Sequence, residues 1–361
     1  MKSYKHGISI STVIMIVMLV LLTLTACSPK DPFPLSAPGV YDFGTKGGFS
    51  EMYSFVDESR DNREISLMVW YPAKFPENAE PSDYNIDAEP DLSGAPYPLI
   101  LSSAKVGNIF GPHLASHGFV VVGVKGIDTF KWDHNLIDQP LDILFALEQV
   151  ATKPLEGLEG MIDAEHAGTM GYSFDGYNSL AMSGARVDPE FYLAQCAKPQ
   201  LEEYWIQFEY CEPAKAWGEF IAHAGEAITT SNDGLWQPLT DERIRAVIPM
   251  GPDGAQLFGE RGLSAVNRST MIICGTEDEL ADYKQEAVYI YEHIGTSDKT
   301  LISFVGEDHF MIERDEPVLR MKHFIVAFFG YHLQGREEYA DYFSEKFISK
   351  QDGLAWGMYE K

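Results

Sequence analysis

The sequence predicts an α/β fold in which one doubly wound, mostly parallel sheet carries a helical insertion. Continuous apolar runs recur along the chain, as expected for strands that are buried on both faces of a parallel sheet. Between these runs, apolar residues recur at helical spacing, and alternating strands and helices build a single sheet with helices packed on it. With 361 residues, of which 45% are hydrophobic, the chain can bury a full core.

The predicted elements begin with a strand at residues 64–71, which Pro72 ends, and a polar surface loop at residues 75–96. Further strands are predicted at residues 99–101, 119–124, 167–170, 245–250, 270–274 and 300–305. Helices are predicted at residues 112–118, 136–150, 178–185, 282–294 and 317–333. Loops that follow the parallel strands share one edge of the sheet, where open α/β folds bind ligands.

One segment, residues 187–240, does not follow this alternation. It contains Trp205, Trp217, Trp236 and many tyrosines, but no strand pattern. Because it separates a helix and a strand that should be neighbours, we interpret it as an inserted helical cap over the carboxyl edge of the sheet. The alternative is a surface excursion that does not contact a substrate.

The N-terminal segment is typical of an exported protein. Lys2 and Lys5 precede an apolar run at residues 8–24. The run ends in Leu24-Thr25-Ala26-Cys27, which is similar to the lipobox of bacterial lipoproteins. The alternative interpretation is a single uncleaved membrane span, since the run is near the short end of what crosses a bilayer.

The lipobox interpretation divides the chain into three parts. Residues 1–26 are predicted to be a signal peptide, residues 27–38 a flexible tether that starts at a lipidated Cys27, and residues 39–361 the folded domain. The expected location is extracytoplasmic, on a membrane through the lipid anchor.

Charge and motif content argue against several classes of protein. The formal net charge of −27 repels a phosphate backbone, so no nucleic-acid partner is expected. No Cys-x-x-Cys pair or histidine cluster gives a zinc signature. The sequence therefore predicts neither a metal nor an organic cofactor.

The four cysteines have different predicted roles. Cys27 is assigned to lipid, and Cys274 lies in an apolar run that is interpreted as a buried strand. Cys196 and Cys211 remain, fifteen positions apart in a polar, aromatic-rich stretch. In an oxidising compartment we expect them to form a disulfide, with two free thiols as the alternative.

The candidate nucleophile is Ser173, in Gly171-Tyr172-Ser173-Phe174-Asp175-Gly176. This motif follows a predicted strand and opens a helix. A serine on such a sharp turn holds its hydroxyl above the sheet, next to backbone N–H groups at a helix N-terminus that can bind an oxyanion. Gly171 and Gly176 allow the strand and helix backbones to approach closely.

A nucleophilic serine needs a histidine base that a carboxylate orients. Asp278 follows the predicted strand 270–274, and His309 follows the next one, so both belong at the carboxyl edge with the serine. Three neighbouring acids remain alternatives to Asp278: Glu277, Glu279 and Asp282. Five other histidines are on predicted helices or before a strand and are interpreted as surface or packed residues: His113, His117, His166, His323 and His332.

At these residues the chain resembles the α/β-hydrolase superfamily, in the branch of predicted dienelactone hydrolases and platelet-activating-factor-acetylhydrolase-like enzymes. The resemblance runs from about residue 64 to 335 and includes the cysteine-bearing insertion. It rests on the Ser173, Asp278 and His309 loops and on three further motifs: Val69-Trp70-Tyr71-Pro72-Ala73, Leu114-Ala115-Ser116-His117-Gly118-Phe119 and Arg243-Ile244-Arg245-Ala246-Val247. It implies an α/β-hydrolase fold.

Two departures from this resemblance flank the expected oxyanion hole. The related proteins usually have Ser-His-Gly where this chain has Ser103-Ala104-Lys105, and usually have glycine at the position of Asp175. The expected donors are the backbone N–H groups of Phe174 and Val106. Since backbone donors survive side-chain changes, the departures are expected to alter the shape and charge of the site more than its donors.

The predicted function is cleavage of a carboxylic ester through an acyl-enzyme, with a small-molecule or lipid ester as substrate. One alternative is a lipid-anchored binding protein on a decayed hydrolase scaffold, which the altered oxyanion region motivates. The other is a lipase or peptidase on the same fold.

Overall fold

The computed structural model describes residues 32–48, 52–75, 85–127, 131–198 and 209–360. The architecture below belongs to the compact unit Leu35–Lys361. Its strands are β1 Asp42–Lys46, β2 Tyr53–Asp57, β3 Arg63–Lys74, β4 Glu89–Pro90, β5 Tyr97–Ser103, β6 Val120–Val124, β7 Ile162–Tyr172, β8 Ile244–Met250, β9 Ser269–Gly275, β10 Lys299–Phe304 and β11 Leu354–Trp356.

The described α-helices are α1 Ala104–Ser116, α2 Asn135–Thr152, α3 Phe174–Met182, α4 Pro189–Cys196, α5 Glu212–Lys215, α6 Trp217–Ala224, α7 Glu226–Thr229, α8 Ala255–Leu263, α9 Tyr289–His293, α10 Asp315–Gln334 and α11 Glu345–Ile348. A π-helical segment, Tyr283–Val288, leads into α9. Short 3₁₀ turns cover Pro34–Ser36, Glu58–Arg60, His309–Glu313 and Glu337–Phe343.

The strands form one sheet in the order β1-β3-β6-β5-β7-β8-β9-β10-β11, with β2 and β4 paired to β3. The strands from β6 to β10 are parallel, whereas β1, β3 and β11 pair antiparallel. Every residue of β5 and β6 is buried, so both faces of the central sheet are covered. This arrangement confirms the predicted doubly wound, mostly parallel α/β sheet.

Several predicted boundaries are wrong. β7 begins at Ile162 instead of residue 167, α3 spans Phe174–Met182 instead of residues 178–185, and β4 lies within the predicted loop at 75–96. The helix predicted at residues 112–118 starts at Ala104 instead, because Ser103 caps it by accepting the N–H of Val106, and Pro112 lies inside it. Strand β3 continues past Pro72, because its pairing with β6 ends at Trp70 and the missing N–H removes no bond to that neighbour.

The described part of the insertion, residues 187–198 and 209–240, contains helices α4 to α7 and no strand. Its aromatic residues pack on one another: the rings of Trp217, Phe220 and Trp236 lie 5.4–5.7 Å apart. The predicted disulfide between Cys196 and Cys211 is confirmed, with Cα atoms 5.6 Å apart. Cys274 is buried and free.

The predicted signal peptide, Cys27 and most of the tether lie outside the described residues, as does Trp205. Among the residues that the structure does describe, no helix has the length and apolar character needed to span a bilayer.

Candidate active site

Three loops at the carboxyl ends of β7, β9 and β10 bring Ser173, Asp278 and His309 together. The Ser173 hydroxyl donates to Nε2 of His309 at 2.9 Å. Nδ1 of the same ring donates to the two carboxylate oxygens of Asp278, at 2.8 Å and 3.0 Å. The three predicted side chains therefore form one continuous hydrogen-bonded chain.

Ser173 occupies the turn between β7 and α3 in a strained backbone conformation, with φ of 60° and ψ of −126°. Its N–H donates to the Met250 carbonyl at 2.9 Å, which anchors the turn to β8. A Cβ at Gly171 would lie 2.1 Å from the Asp175 carbonyl oxygen, so only glycine fits there. The neighbouring strands thus hold the hydroxyl above the sheet.

Burial and two backbone N–H groups hold the Asp278 side chain, in addition to its contact with His309. Its side chain is fully buried, and Oδ1 also accepts the N–H groups of Leu280 and Ala281 at 3.0 Å and 2.9 Å. Asp282, one of the alternative acids, instead caps the π-helical segment by accepting from Lys284 and Gln285. Asp278 is the acid that His309 contacts.

The His309 ring is largely buried, and burial by itself lowers its pKa. The hydrogen bond and negative charge of Asp278, with smaller effects of Asp253 and Asp308, outweigh burial and raise the pKa above its ordinary value. The Tyr172 hydroxyl donates to the His309 carbonyl at 2.7 Å and holds the backbone of the histidine loop.

The raised pKa of His309 leads to a prediction about pH. A protonated ring cannot accept the serine proton, so kcat/KM should fall as pH decreases through a value above the ordinary histidine pKa of about 6.5. A pH–rate profile for a nitrophenyl ester measures this acidic limb directly. An apparent pKa below about 6.5 for this acidic limb would contradict the prediction.

A cavity of about 240 Å³ opens beside Ser173. Most of its walls are apolar, and Lys105 and Glu313 add one charge of each sign. Phe310 is 52% exposed at this cavity, and its ring meets the His309 ring edge to face. The lining residues are Lys105, Val106, Ile109, Tyr172, Ser173, Phe174, His309, Phe310, Ile312 and Glu313.

The two expected oxyanion donors, the N–H groups of Phe174 and Val106, lie in the first turns of two different helices. Phe174 is the first residue of α3, directly after the candidate nucleophile. Val106 lines the cavity, but its N–H donates to Oγ of Ser103 at 3.1 Å because the helix starts earlier than predicted. An oxyanion would have to share the Val106 N–H with Oγ of Ser103. Such three-centre hydrogen bonds are common for backbone N–H groups at helix ends.

Sequence reasoning missed one buried acid beside the triad. Asp253 follows β8 and is 2% exposed, and the Tyr210 hydroxyl donates to it at 2.7 Å. Burial raises the pKa of Asp253 to about 7, against the lowering effects of Tyr210 and His309. The sequence signal for this residue was its position: Asp253 is an acid three residues beyond a predicted strand that ends at the same edge of the sheet.

The sheet order and the serine–histidine–aspartate geometry define the class: an α/β hydrolase. In the described residues, no group of three or more His, Cys, Asp or Glu side chains could hold a metal ion.

A family model described as PET hydrolase-like matches residues 97–205 and 232–352, which is more than half of the chain. The chain belongs to this PET hydrolase-like family and is an ester hydrolase. A search of curated proteins found no match.

The two matched segments are separated by an unmatched stretch. Residues 206–231, between the two matched segments, fall inside the predicted insertion at 187–240. In the described part of the chain, the cavity beside Ser173 is lined by residues outside that insertion. The apolar surface that the described residues give this cavity therefore comes from the sheet-edge loops and α1.

Proposed function

We propose that the protein is a serine-dependent carboxylic-ester hydrolase that acts through an acyl-enzyme. The observation that carries this proposal is the hydrogen-bonded chain from Asp278 through His309 to Ser173, beside an open cavity. A serine that is bonded to a histidine, which is in turn oriented by a buried carboxylate, is the arrangement that activates a hydroxyl at neutral pH.

In the first half-reaction, Oγ of Ser173 attacks the ester carbonyl carbon while Nε2 of His309 takes the hydroxyl proton. The negative charge on the carbonyl oxygen is stabilised by the Phe174 N–H and the first turn of α1. The tetrahedral intermediate collapses, His309 returns its proton to the leaving alkoxide, and an alcohol departs. Water then repeats these steps on the acyl-serine and releases the acid.

The cavity favours an ester with a compact apolar part. Ile109, Phe310 and Ile312 supply apolar surface, and the volume of about 240 Å³ is below the range of about 300–1,000 Å³ that is usual for ligand pockets. We infer a small-molecule ester as the substrate. Assignment to the narrower branch of dienelactone hydrolases and platelet-activating-factor-acetylhydrolase-like enzymes remains a prediction.

The test is a fluorophosphonate probe, followed by peptide mapping, together with nitrophenyl esters of increasing acyl length. We expect labelling at Ser173 and the highest kcat/KM with short acyl chains. Preference for long chains would favour a lipase, and cleavage of amides a peptidase.

The alternative function is a binding protein on an inactive hydrolase scaffold. The observation that favours it is the Val106 N–H, which is already bonded within the protein. A folded protein that neither reacts with the probe nor hydrolyses any ester in the panel would establish this alternative.

We also propose that the protein is an extracytoplasmic, membrane-anchored lipoprotein. The support is the sequence Leu24-Thr25-Ala26-Cys27 at the end of the apolar run. Intact mass measurement of the mature protein should show a chain that starts at Cys27 carrying a diacylglyceryl group and an N-acyl chain, and a Cys27→Ser variant should lack the lipid. An unmodified Cys27 within a longer chain would contradict the proposal.

A further inference from the structure

Asp175 lies two residues after Ser173, in the first turn of α3, and only 1% of it is exposed. Its carboxylate crosses from the helix of the candidate nucleophile to the end of β5, where Oδ2 accepts the N–H of Ser103 at 3.0 Å. A buried carboxylate bonded to a backbone N–H joins two segments 72 positions apart in the sequence.

The other carboxylate oxygen contacts a buried amide. Nδ2 of Asn178 has two hydrogens for three acceptors: the Ile127 carbonyl at 2.5 Å, Oε1 of Gln139 at 3.0 Å and, in the longest contact, Oδ1 of Asp175 at 3.3 Å. Asn178 and Gln139 are buried as well. Buried polar groups tied in this way restrict one another's positions, so the orientation of the carboxylate is fixed.

Ser103 connects this carboxylate to the oxyanion region. It is fully buried at the end of β5, and its Oγ accepts the N–H of Val106 at 3.1 Å. Ser103 therefore receives the Asp175 contact on its backbone and holds the first turn of α1 with its side chain. The chain of bonds runs from the helix after Ser173 to the turn that lines the cavity.

We propose that Asp175 is a positioning residue that fixes the first turn of α1 against the Ser173 turn and so sets the spacing of the two oxyanion donors. The inference rests on the proposed function. Without the carboxylate, the buried Ser103 N–H loses its partner, and the turn shifts to recover one. A displacement of about 1 Å near a reacting centre can cost about a hundredfold in rate.

The experiment compares Asp175→Ala and Asp175→Asn in the full chain, with a boronic acid as a mimic of the tetrahedral intermediate. For D175A we expect kcat to fall about a hundredfold with KM nearly unchanged, because donor placement matters most in the transition state. Affinity for the boronic acid should fall in parallel. D175N should retain at least tenfold more kcat than D175A, since its amide oxygen can still accept from Ser103.

The matched control is Asp188→Ala. Asp188 is 2% exposed, close to the 1% of Asp175, and it also accepts a backbone N–H, that of Phe191 at 3.1 Å, but it caps α4 in the insertion. Its removal should lower the melting temperature and leave kcat at the wild-type value.

Wild-type kcat and boronic acid affinity in D175A, with only a lower melting temperature, would overturn the inference. So would a folded D175N that loses as much kcat as D175A. If D175A does not fold, Asp175→Ser replaces it, because serine is too short to reach the Ser103 N–H. An inactive wild-type protein that the fluorophosphonate probe does not label would instead refute the proposed function.

Discussion

Replacing Ser173 with alanine should lower kcat for ester hydrolysis by about a millionfold, the size of effect that follows removal of a serine nucleophile. The variant should fold, because the strained turn is held by the Ser173 N–H to Met250 and not by the hydroxyl. Substrate binding should persist, since the cavity walls remain. The measurement is kcat with the preferred nitrophenyl ester, together with probe labelling.

A matched control for this variant is Ser183→Ala. Ser183 is fully buried, whereas Ser173 is partly exposed, and it lies just after α3, where its hydroxyl donates to the Leu180 carbonyl. We expect S183A to keep wild-type kcat and probe labelling with a modest loss of stability. If S173A retains more than about one thousandth of the wild-type kcat, a residue other than Ser173 acts as the nucleophile.

Replacing Asp278 with asparagine should lower kcat by about 10⁴-fold while the fold stays intact. The amide that replaces the carboxylate no longer holds the N–H of His309 Nδ1 in the orientation that leaves Nε2 free to accept the serine proton. Loss of the negative charge also removes the main cause of the raised pKa of His309. The acidic limb of the pH–rate profile should therefore move to lower pH.

Asp253→Asn provides the control, because Asp253 is an equally buried acid at the same edge of the sheet. The asparagine oxygen can still accept from Tyr210, so we expect a loss of no more than about tenfold and an acidic limb that persists. A larger loss in D253N than in D278N would assign the orienting role to the loop after β8. Circular dichroism and melting temperatures establish that both variants are folded.

The parts of the fold that sequence reasoning predicted are those with a strong local pattern. The buried strands of the parallel sheet are continuous apolar runs, and their ends fix where the following loops lie. That is why the sequence alone predicts that Ser173, Asp278 and His309 lie at one edge. The disulfide followed similarly from the predicted oxidising compartment and the small number of cysteines.

Features that depend on contacts between distant segments were not predictable in this way. The start of α1 was missed because Lys105, Gly107 and Asn108 give a weak helical pattern and Pro112 resembles a first helical residue. The contact between Asp175 and Ser103 exists only after β5 and β7 pair. The π-helical segment before α9 also has no separate pattern in the sequence.

The disulfide also ties the chemistry of the site to how the chain matures. Cys211 follows Tyr210, whose hydroxyl meets Asp253 and whose ring meets Trp132 at 4.4 Å, and Trp132 packs edge to face on Phe174. Oxidation of one thiol pair thus anchors the tyrosine that supports the wall behind Ser173. A chain kept reduced could complete its sheet and still leave that wall unbraced, which makes oxidation of these two thiols a step in building the enzyme.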